Sequence, residues 1–149
     1  MTHPIERHDL TKQEFEAISE MRYQVRRFLR FSEQAVRRGG ITPLQYLLLL
    51  HVRGFPGRDW ATIAELAERL QAKHHGVVAL VSRCEEFGLV TKQHGQVDRR
   101  EVHVRLSAKG SKCLEQLALL HRTELHALRR AFGVNRLTAF NDAEIRPPS

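Results

Sequence analysis

Cysteines are scarce in this 149-residue sequence, and the patterns that accompany metal sites, catalysis and membrane spans are missing. The two cysteines, Cys84 and Cys113, stand in a sequence without a visible secretory signal, which favours free thiols in a reducing compartment, the cytoplasm. Neither HExxH nor CxxC occurs, and no nucleophile–base pair or phosphate-binding loop stands out, so we expect no metal, no cofactor and no enzyme. The apolar run YLLLL at 46–50 is far shorter than the roughly 18 residues of a membrane span. The N-terminal MTHPIERHDL lacks the basic-then-apolar pattern of a secretory signal.

Positive charge, by contrast, is abundant and unevenly distributed. The sequence has 24 Lys and Arg against 17 Asp and Glu, a net charge of +7. Between positions 69 and 112 nine basic residues stand against four acidic ones, so this window carries five of the seven surplus charges. A concentrated surplus of positive charge indicates a polyanionic partner, most often nucleic acid. The alternative is that the charge serves only to keep the protein soluble.

Capping signals and apolar periodicity predict a mainly α-helical chain. TKQE at 11–14, TPLQ at 42–45 and TIAE at 62–65 each match a capping box, in which Thr caps the helix and Glu or Gln reaches back. The first box opens a long helix over 11–39 with apolar positions about every 3.5 residues. Part of that stripe is expected to pack on a second chain. A second helical region, 108–145, opens at Ser107, is interrupted at Gly133, and completes the predicted dimerisation region.

Residues 42–107 predict a winged helix-turn-helix lobe. A buried helix from Thr42 to Arg53 and a short edge strand at 60–61 precede the helix TIAELAERL, and a three-residue break leads into the helix of KHHGVVALVSRCEEFGLV. The period then changes to two, which predicts a strand at 89–93, a turn at 94–98 and a returning strand at 101–106. The predicted fold class is therefore mainly α (α+β), a winged helix-turn-helix with long N- and C-terminal dimerisation helices.

The helix that begins KHHG has one face for the protein core and another for a partner. At about 100° per residue, its apolar residues collect on one side. Those expected to be buried are Val77, Leu80, Val81, Cys84 and Phe87. The first turns of a recognition helix enter the DNA major groove most deeply. The expected DNA contacts of this helix are Lys73, His74, His75, Gly76, Ala79 and Arg83.

His75 is the residue expected to read base edges, with Lys73 and His74 at phosphates or the groove wall. Gly76 lets the backbone approach DNA closely, and Ala79 can touch a thymine methyl group. Two alternatives stay open for the histidines, a solvated helix start without a special role and a metal site. Adjacent side chains about 100° apart on a helix chelate one ion poorly.

Two further sites for DNA contact come from the wing and from the third helix. Asp98 stands two residues before Arg100 and can orient its guanidinium by a salt bridge at the hairpin tip. An arginine presented in this way suits a narrow, electronegative minor groove, whereas the alternative is an ion pair that only stabilises the turn. Thr62 and the amides that follow it can hold a phosphate at a helix N-terminus, and a plain helix cap explains the threonine equally well.

The wing sequence DRREVHVRLSAKG, residues 98–110, resembles the MarR family of bacterial winged-helix transcription regulators. The family pattern there is Asp-x-Arg, five residues, Leu-Ser/Thr, two residues and Gly, and this sequence matches every position. TIAELAERL and EEFGLV are also similar to the family's third helix and to the end of its recognition helix. The resemblance covers roughly residues 11–132. KHHGVVAL departs from it, because His75, Gly76, Val78 and Ala79 stand where the family commonly carries Ser, Thr and Arg, so no operator sequence is carried over.

The resemblance implies a homodimer that regulates transcription, most often by repression, on a pseudo-palindromic double-stranded operator. It further implies that Arg100 enters the minor groove, that Arg99 contacts a phosphate, and that a small, often aromatic, effector releases the DNA. Tyr46 and His51 are expected near that effector, although they are equally explained as core and boundary residues. The alternatives are a nonspecific DNA-coating or architectural protein, a cysteine-based redox-sensing regulator of the same fold, and a protein-interaction module with a vestigial wing.

Overall fold

A computed structural model describes residues 9–131 of the chain, and this part contains five helices and one three-stranded sheet. In order they are α1 (Lys12–Arg38), α2 (Pro43–Arg53), β1 (Trp60–Thr62), α3 (Ile63–Leu70), α4 (His74–Glu86), β2 (Val90–His94), β3 (Val102–Leu106) and α5 (Ala108–Ala131). The mainly α, winged helix-turn-helix fold class is thereby confirmed. The helical region predicted over 108–145 is described as far as Ala131, and its remainder, Gly133 included, lies outside the described residues.

The chain divides into two compact units. Of the described residues, 9–31 and 123–131 form one unit, and Ser32–Arg122 form the other. The second unit contains the whole of the predicted 42–107 lobe together with the adjoining ends of α1 and α5. No helix within residues 9–131 is long and apolar enough to cross a membrane.

Three helices begin at capping boxes that the sequence predicts. At α2 the Thr42 hydroxyl accepts from the Gln45 backbone N–H at 3.2 Å, and the Gln45 side chain accepts from the Thr42 N–H at 3.0 Å. Thr11 makes the same reciprocal pair with Glu14 at the start of α1. Since a cap residue stabilises a helix by about 1 kcal/mol, these local interactions favour the observed helix starts.

The sheet has the strand order β1-β3-β2, and both strand pairs are antiparallel. In the register, Thr62 lies opposite His103 and Ala61 opposite Val104. On the other edge, Gln93 lies opposite His103 and His94 opposite Val102. Because side chains alternate across a strand, His103 shares one sheet face with Thr62 and Gln93, while Val104 faces the core.

The core of the second unit lies between the sheet and the helices α2 to α5. Its fully buried side chains come from the sheet and from α2, α3 and α4, while α5 adds the buried Leu114 and Leu117. Burying a large apolar side chain contributes roughly 1.5–3 kcal/mol. The fully buried side chains include Leu48, Leu49, Val52, Leu66, Val77, Val81, Cys84 and Val104.

The turn between α3 and α4 is closed by Gln71 in the left-handed conformation, at φ 50 and ψ 49. Its backbone N–H donates to the Glu68 carbonyl at 3.1 Å, and its side-chain amide donates to the same carbonyl at 2.7 Å. The Ala72 N–H donates to the Ala67 carbonyl at 3.0 Å, so the last carbonyls of α3 are satisfied within the turn. This tight closure makes the break of three residues that the sequence predicts.

Candidate nucleic-acid interface

The first turn of α4 is open to solvent. Lys73 occupies the N-cap position in an extended conformation and makes no side-chain cap, and Lys73, His74, His75 and Gly76 are all exposed. A Cβ added at Gly76 would meet nothing within 4 Å. The first backbone N–H groups of a helix have no partner within it, so this turn presents donors as well as side chains to a ligand.

Lys73 and His74 also line an open groove of about 410 Å³, whose opposite wall is formed by α3 residues Ala64, Ala67 and Glu68. The groove separates the two helices of the helix-turn-helix on their outer side. The small alanine side chains keep it wide, so the ammonium group of Lys73 is not enclosed by protein.

The two faces of α4 divide largely as the sequence predicts. Val77, Leu80, Val81 and Cys84 are buried, and Ala79 and Arg83 are exposed on the outer side. The placement of Phe87 on the buried face is wrong, since its side chain is 59% exposed. Phe87 is the C-cap residue, one position beyond the end of α4, so the helical periodicity on which the prediction depends no longer applies there.

The wing carries an arginine held by a neighbouring carboxylate. Arg100 donates to Asp98 from its backbone N–H at 3.0 Å, from Nε at 3.2 Å and from a terminal guanidinium nitrogen at 3.2 Å. These hydrogen bonds lower the pKa of Asp98, which therefore stays ionised. The Arg100 side chain is nevertheless 92% exposed, so the carboxylate orients the guanidinium without burying it.

The wing turn is shaped by backbone packing at Gly95. The Gly95 N–H donates to the Glu101 carbonyl at 2.9 Å, and a Cβ on Gly95 would lie only 2.4 Å from the Asp98 carbonyl oxygen. The Arg99 carbonyl accepts from His94 Nδ1 at 3.0 Å, and the Arg99 side chain is exposed. Strand β2 lies one residue later than predicted, β3 begins one residue later than predicted, and the turn runs from 95 to 101 instead of 94 to 98.

Part of the positive surplus is neutralised within the protein and part is not. Arg105 pairs with Asp59 at 2.9 Å, and Lys92 pairs with Glu85 at 3.4 Å, which ties β2 to α4. The other exposed cations of the 69–112 window are distributed over α3, α4, the wing turn and the start of α5. They include Lys73, Arg83 and Arg99.

Thr62 serves as the cap of α3. Its hydroxyl accepts from the Glu65 N–H at 3.2 Å, and the Glu65 carboxylate accepts from the Thr62 N–H at 3.0 Å. Glu65 also forms an ion pair with Arg58, and its pKa is lowered, because hydrogen bonds from Thr62 and Arg58 outweigh the effect of burial. The Thr62 and Glu65 amides are thus both occupied within the capping box, so the geometry accounts for Thr62 as a cap, and its role as a phosphate contact stays a prediction.

Tyr46 and His51 lie in different surroundings within the second unit. Tyr46 is buried in the core and stacks on His121, with 4.8 Å between the ring centroids. His121 in turn donates from Nδ1 to the Leu117 carbonyl at 2.7 Å, and its Nε2 lies 2.6 Å from the Ser32 hydroxyl. Burial raises the pKa of Tyr46.

His51 lies at the edge of the core instead. Its pKa is lowered, first by burial and then by the positive charge of Arg69, so the imidazole is neutral at pH 7. An effector site at Tyr46 and His51 stays a prediction.

The cysteines differ in environment. Burial raises the pKa of the Cys84 thiol to about 11, so this residue is not a reactive thiolate at neutral pH. Cys113 is partly buried against the core. Among the described residues, no group of three or more His, Cys, Asp and Glu could hold a metal ion.

A stacked cluster beside the wing is absent from the sequence-based prediction. The Trp60 indole stacks on the His103 imidazole at 3.8 Å and lies 3.8 Å from the Arg58 guanidinium carbon. Strand alternation alone places His103 with Glu101 and Arg105 on the outer face of β3, but its contact with Trp60 depends on the register of β1 against β3.

Comparison with known proteins identifies the same architecture. The model of the MarR family matches residues 39–101. The transcriptional repressor MdtR of Bacillus subtilis is 25% identical over 84 residues, which are 56% of this chain and 52% of MdtR, so the match spans about half of that repressor.

Solved structures extend the likeness of the fold to most of the chain. AbsC, a MarR family transcriptional regulator from Streptomyces coelicolor, superimposes with a TM-score of 0.70 at 22% identity, covering 89% of this chain and 90% of AbsC. A mutant MarR from E. coli, crystallised with operator DNA, gives a TM-score of 0.66 at 19% identity, covering 89% and 93%. At these identities the structures show a shared fold.

Proposed function

We propose that the chain is a member of the MarR family of transcription regulators, whose family model matches residues 39–101, and that it binds double-stranded DNA sequence-specifically as a homodimer. In this proposal α4 is the recognition helix and the wing contacts the adjacent minor groove. Repression is the regulatory outcome we propose, since MdtR is named a repressor. A regulator of this kind works where the genome is, so the predicted cytoplasmic location is part of the proposal.

The observation that carries the proposal is the arginine held at the tip of the wing. The Arg100 side chain is almost wholly exposed, and two hydrogen bonds from its guanidinium to Asp98 fix its direction. A guanidinium that merely stabilised a turn would gain nothing from this exposure. A narrow minor groove concentrates negative potential, and an oriented arginine can enter it without first losing its conformational freedom.

The uncapped first turn of α4 supports the same function. His75 and Gly76 are exposed, and the open space around Gly76 allows the edge of a DNA groove to approach the backbone. The major groove admits an α-helix, and an imidazole can donate to or accept from base edges. The positive surplus between positions 69 and 112 supplies the attraction for the phosphate backbone.

The homodimer is supported by an apolar stripe on α1. Met21, Val25 and Leu29 follow one another at intervals of four residues, and each is at least 40% exposed in the single chain. Monomeric proteins rarely expose such a continuous apolar surface. A second copy that covers this stripe would give a homodimer with two α4 helices, one for each half of a pseudo-palindromic site.

A band shift tests the function. Wild-type protein is mixed with DNA from upstream of its own gene, and in parallel with a random-sequence pool from which bound molecules are recovered and amplified. A retarded complex that survives excess unrelated DNA, and weakens by about 10³–10⁵ between 50 and 200 mM salt, supports the proposal if six to ten phosphates are contacted. If unrelated DNA displaces the protein as readily as the selected DNA does, the protein is a nonspecific coating protein instead. If no complex forms with the upstream DNA or with the random-sequence pool, the proposal is contradicted.

A further inference from the structure

A flat stack of three side chains lies on the outer face of the sheet, at the root of the wing. The Trp60 indole and the His103 imidazole are stacked at 3.8 Å between centroids with 17° between their planes. The Arg58 guanidinium carbon lies 3.8 Å from the indole centroid. The register explains the contact, because Trp60 pairs with Arg105 and is thus diagonal to His103 on the same sheet face.

From His103 the contacts continue into the wing turn. His103 Nε2 lies 3.0 Å from a carboxylate oxygen of Glu101, the residue whose carbonyl accepts the Gly95 N–H. A Cβ on Gly95 would lie 3.2 Å from His103 Nε2, so the glycine backbone passes directly over the edge of the imidazole. The Glu101 N–H donates to the Asp98 carbonyl at 3.2 Å, and Asp98 holds the arginine at the tip.

From Arg58 the contacts continue in the other direction, into α3. Arg58 stacks on Phe55 at 4.2 Å and forms an ion pair with Glu65, which belongs to the capping box of Thr62. The stack therefore joins the start of α3 to the turn that carries Arg100. Both ends of this connection lie within Ser32–Arg122, the second compact unit.

We propose that the Trp60–His103 stack positions the wing for DNA binding, so that His103 and Trp60 are positioning residues, a role that rests on the proposed function. An isolated two-stranded hairpin is marginal in water, and the wing turn lies beyond the last paired residues of the sheet. The stack limits the orientations of the turn at its root. Fewer orientations mean that less freedom is lost when Arg100 enters a groove.

The substitution His103→Ala removes the stack and should weaken binding to the selected DNA site by roughly two- to tenfold, the range that one aromatic pair can shift an equilibrium. His103→Phe keeps a flat ring against Trp60 and loses the contact with Glu101, and it should bind within about twofold of wild type. Gln93→Ala is the matched control, since Gln93 lies opposite His103 in β2 on the same sheet face and has no ring. Unchanged affinity in His103→Ala, or equal loss in all three variants, would overturn the proposal.

A double-mutant comparison separates positioning from a general loss of structure. If His103 acts through Arg100, then adding His103→Ala to Arg100→Ala should cause little further loss of DNA affinity. If the His103→Ala effect persists undiminished in the Arg100→Ala protein, the stack does not act through the wing arginine, and the proposal is overturned.

Hydrogen exchange distinguishes failure of this proposal from failure of the proposed function. If wild-type protein binds no DNA, the proposed function is wrong. The role of the stack in positioning the wing is then tested on the free protein, by the exchange rate of the Gly95 N–H. This amide closes the wing turn, so His103→Ala should speed its exchange, whereas His103→Phe should not. Trp60 is the only tryptophan of the sequence, so its fluorescence reports loss of the stack in the same samples. An unchanged Gly95 exchange rate in His103→Ala, with altered Trp60 emission, would show that the stack does not position the wing.

Discussion

The substitution Arg100→Ala should weaken DNA binding strongly while leaving the folded protein almost as stable as before. The Arg100 side chain is 92% exposed, and its guanidinium hydrogen-bonds to Asp98. Exposed ion pairs contribute little to folding, because water solvates the separated charges nearly as well. The thermal unfolding midpoint of the variant should therefore stay close to that of wild type.

The loss of DNA affinity has a different magnitude. A positioned arginine that contacts DNA contributes roughly 1–3 kcal/mol, which corresponds to about a 5- to 150-fold rise in Kd for each wing. Fluorescence anisotropy with a labelled, selected DNA site measures this change, and repeating the titration at several salt concentrations measures the salt slope. Asp98→Ala keeps the positive charge but releases the guanidinium, so its loss should be smaller than that of Arg100→Ala.

Arg53→Ala is a matched control. Arg53 is also exposed, lies 4.0 Å from Glu115 and ends α2, outside the proposed interface, so its removal lowers the net charge by the same amount. Equal affinity losses in Arg53→Ala and Arg100→Ala would show that only net charge matters. Unchanged affinity in Arg100→Ala would refute the role assigned to the wing arginine.

Four further substitutions test the remaining parts of the account. His75→Ala should change base preference more than nonspecific affinity, so an unchanged consensus from random-pool selection would argue against base reading. Gly76→Ala should stabilise the free protein by about 0.5–1 kcal/mol and weaken DNA binding, since its Cβ meets only open space in the protein. Gly110→Ala should instead destabilise the fold by roughly 1–3 kcal/mol, because its Cβ would lie 2.0 Å from the Leu89 carbonyl oxygen. Denaturant unfolding should therefore give a higher free energy of unfolding for Gly76→Ala and a lower one for Gly110→Ala. Burial raises the pKa of Cys84 to about 11, so its contribution to stability is complete below pH 9 and is lost as the pH rises to about 11. In unfolding measured against pH, Cys84→Ala should therefore flatten this decline in stability. Rapid alkylation of Cys84 in the native protein at neutral pH would contradict the raised pKa.

Local signals made much of the fold predictable. The capping boxes at Thr11, Thr42 and Thr62 are hydrogen bonds between residues three apart, so the sequence contains both partners. The Asp98–Arg100 pair is local in the same sense, and the structure shows the orientation that the spacing implies. The buried face of α4 follows from periodicity until the helix ends, and Phe87 is misplaced because it follows that end.

Contacts between distant parts of the chain could not be predicted in this way. The stack of Tyr46 on His121 joins α2 to α5, and nothing in either local sequence indicates the other ring. The Trp60–His103 stack requires the strand order β1-β3-β2 and its register, neither of which follows from alternation within one strand. A tryptophan in a short edge strand and a histidine among outward-facing residues were nonetheless visible signals.

Hydroxyl-radical footprinting of a site selected from random-sequence DNA tests most directly whether α4 and the wing form the DNA-binding surface. The account predicts two protected segments about one helical turn, ~34 Å, apart, with flanking minor-groove protection that disappears in Arg100→Ala. Selection of no preferred sequence, or a footprint that neither Arg100→Ala nor His75→Ala alters, would contradict it.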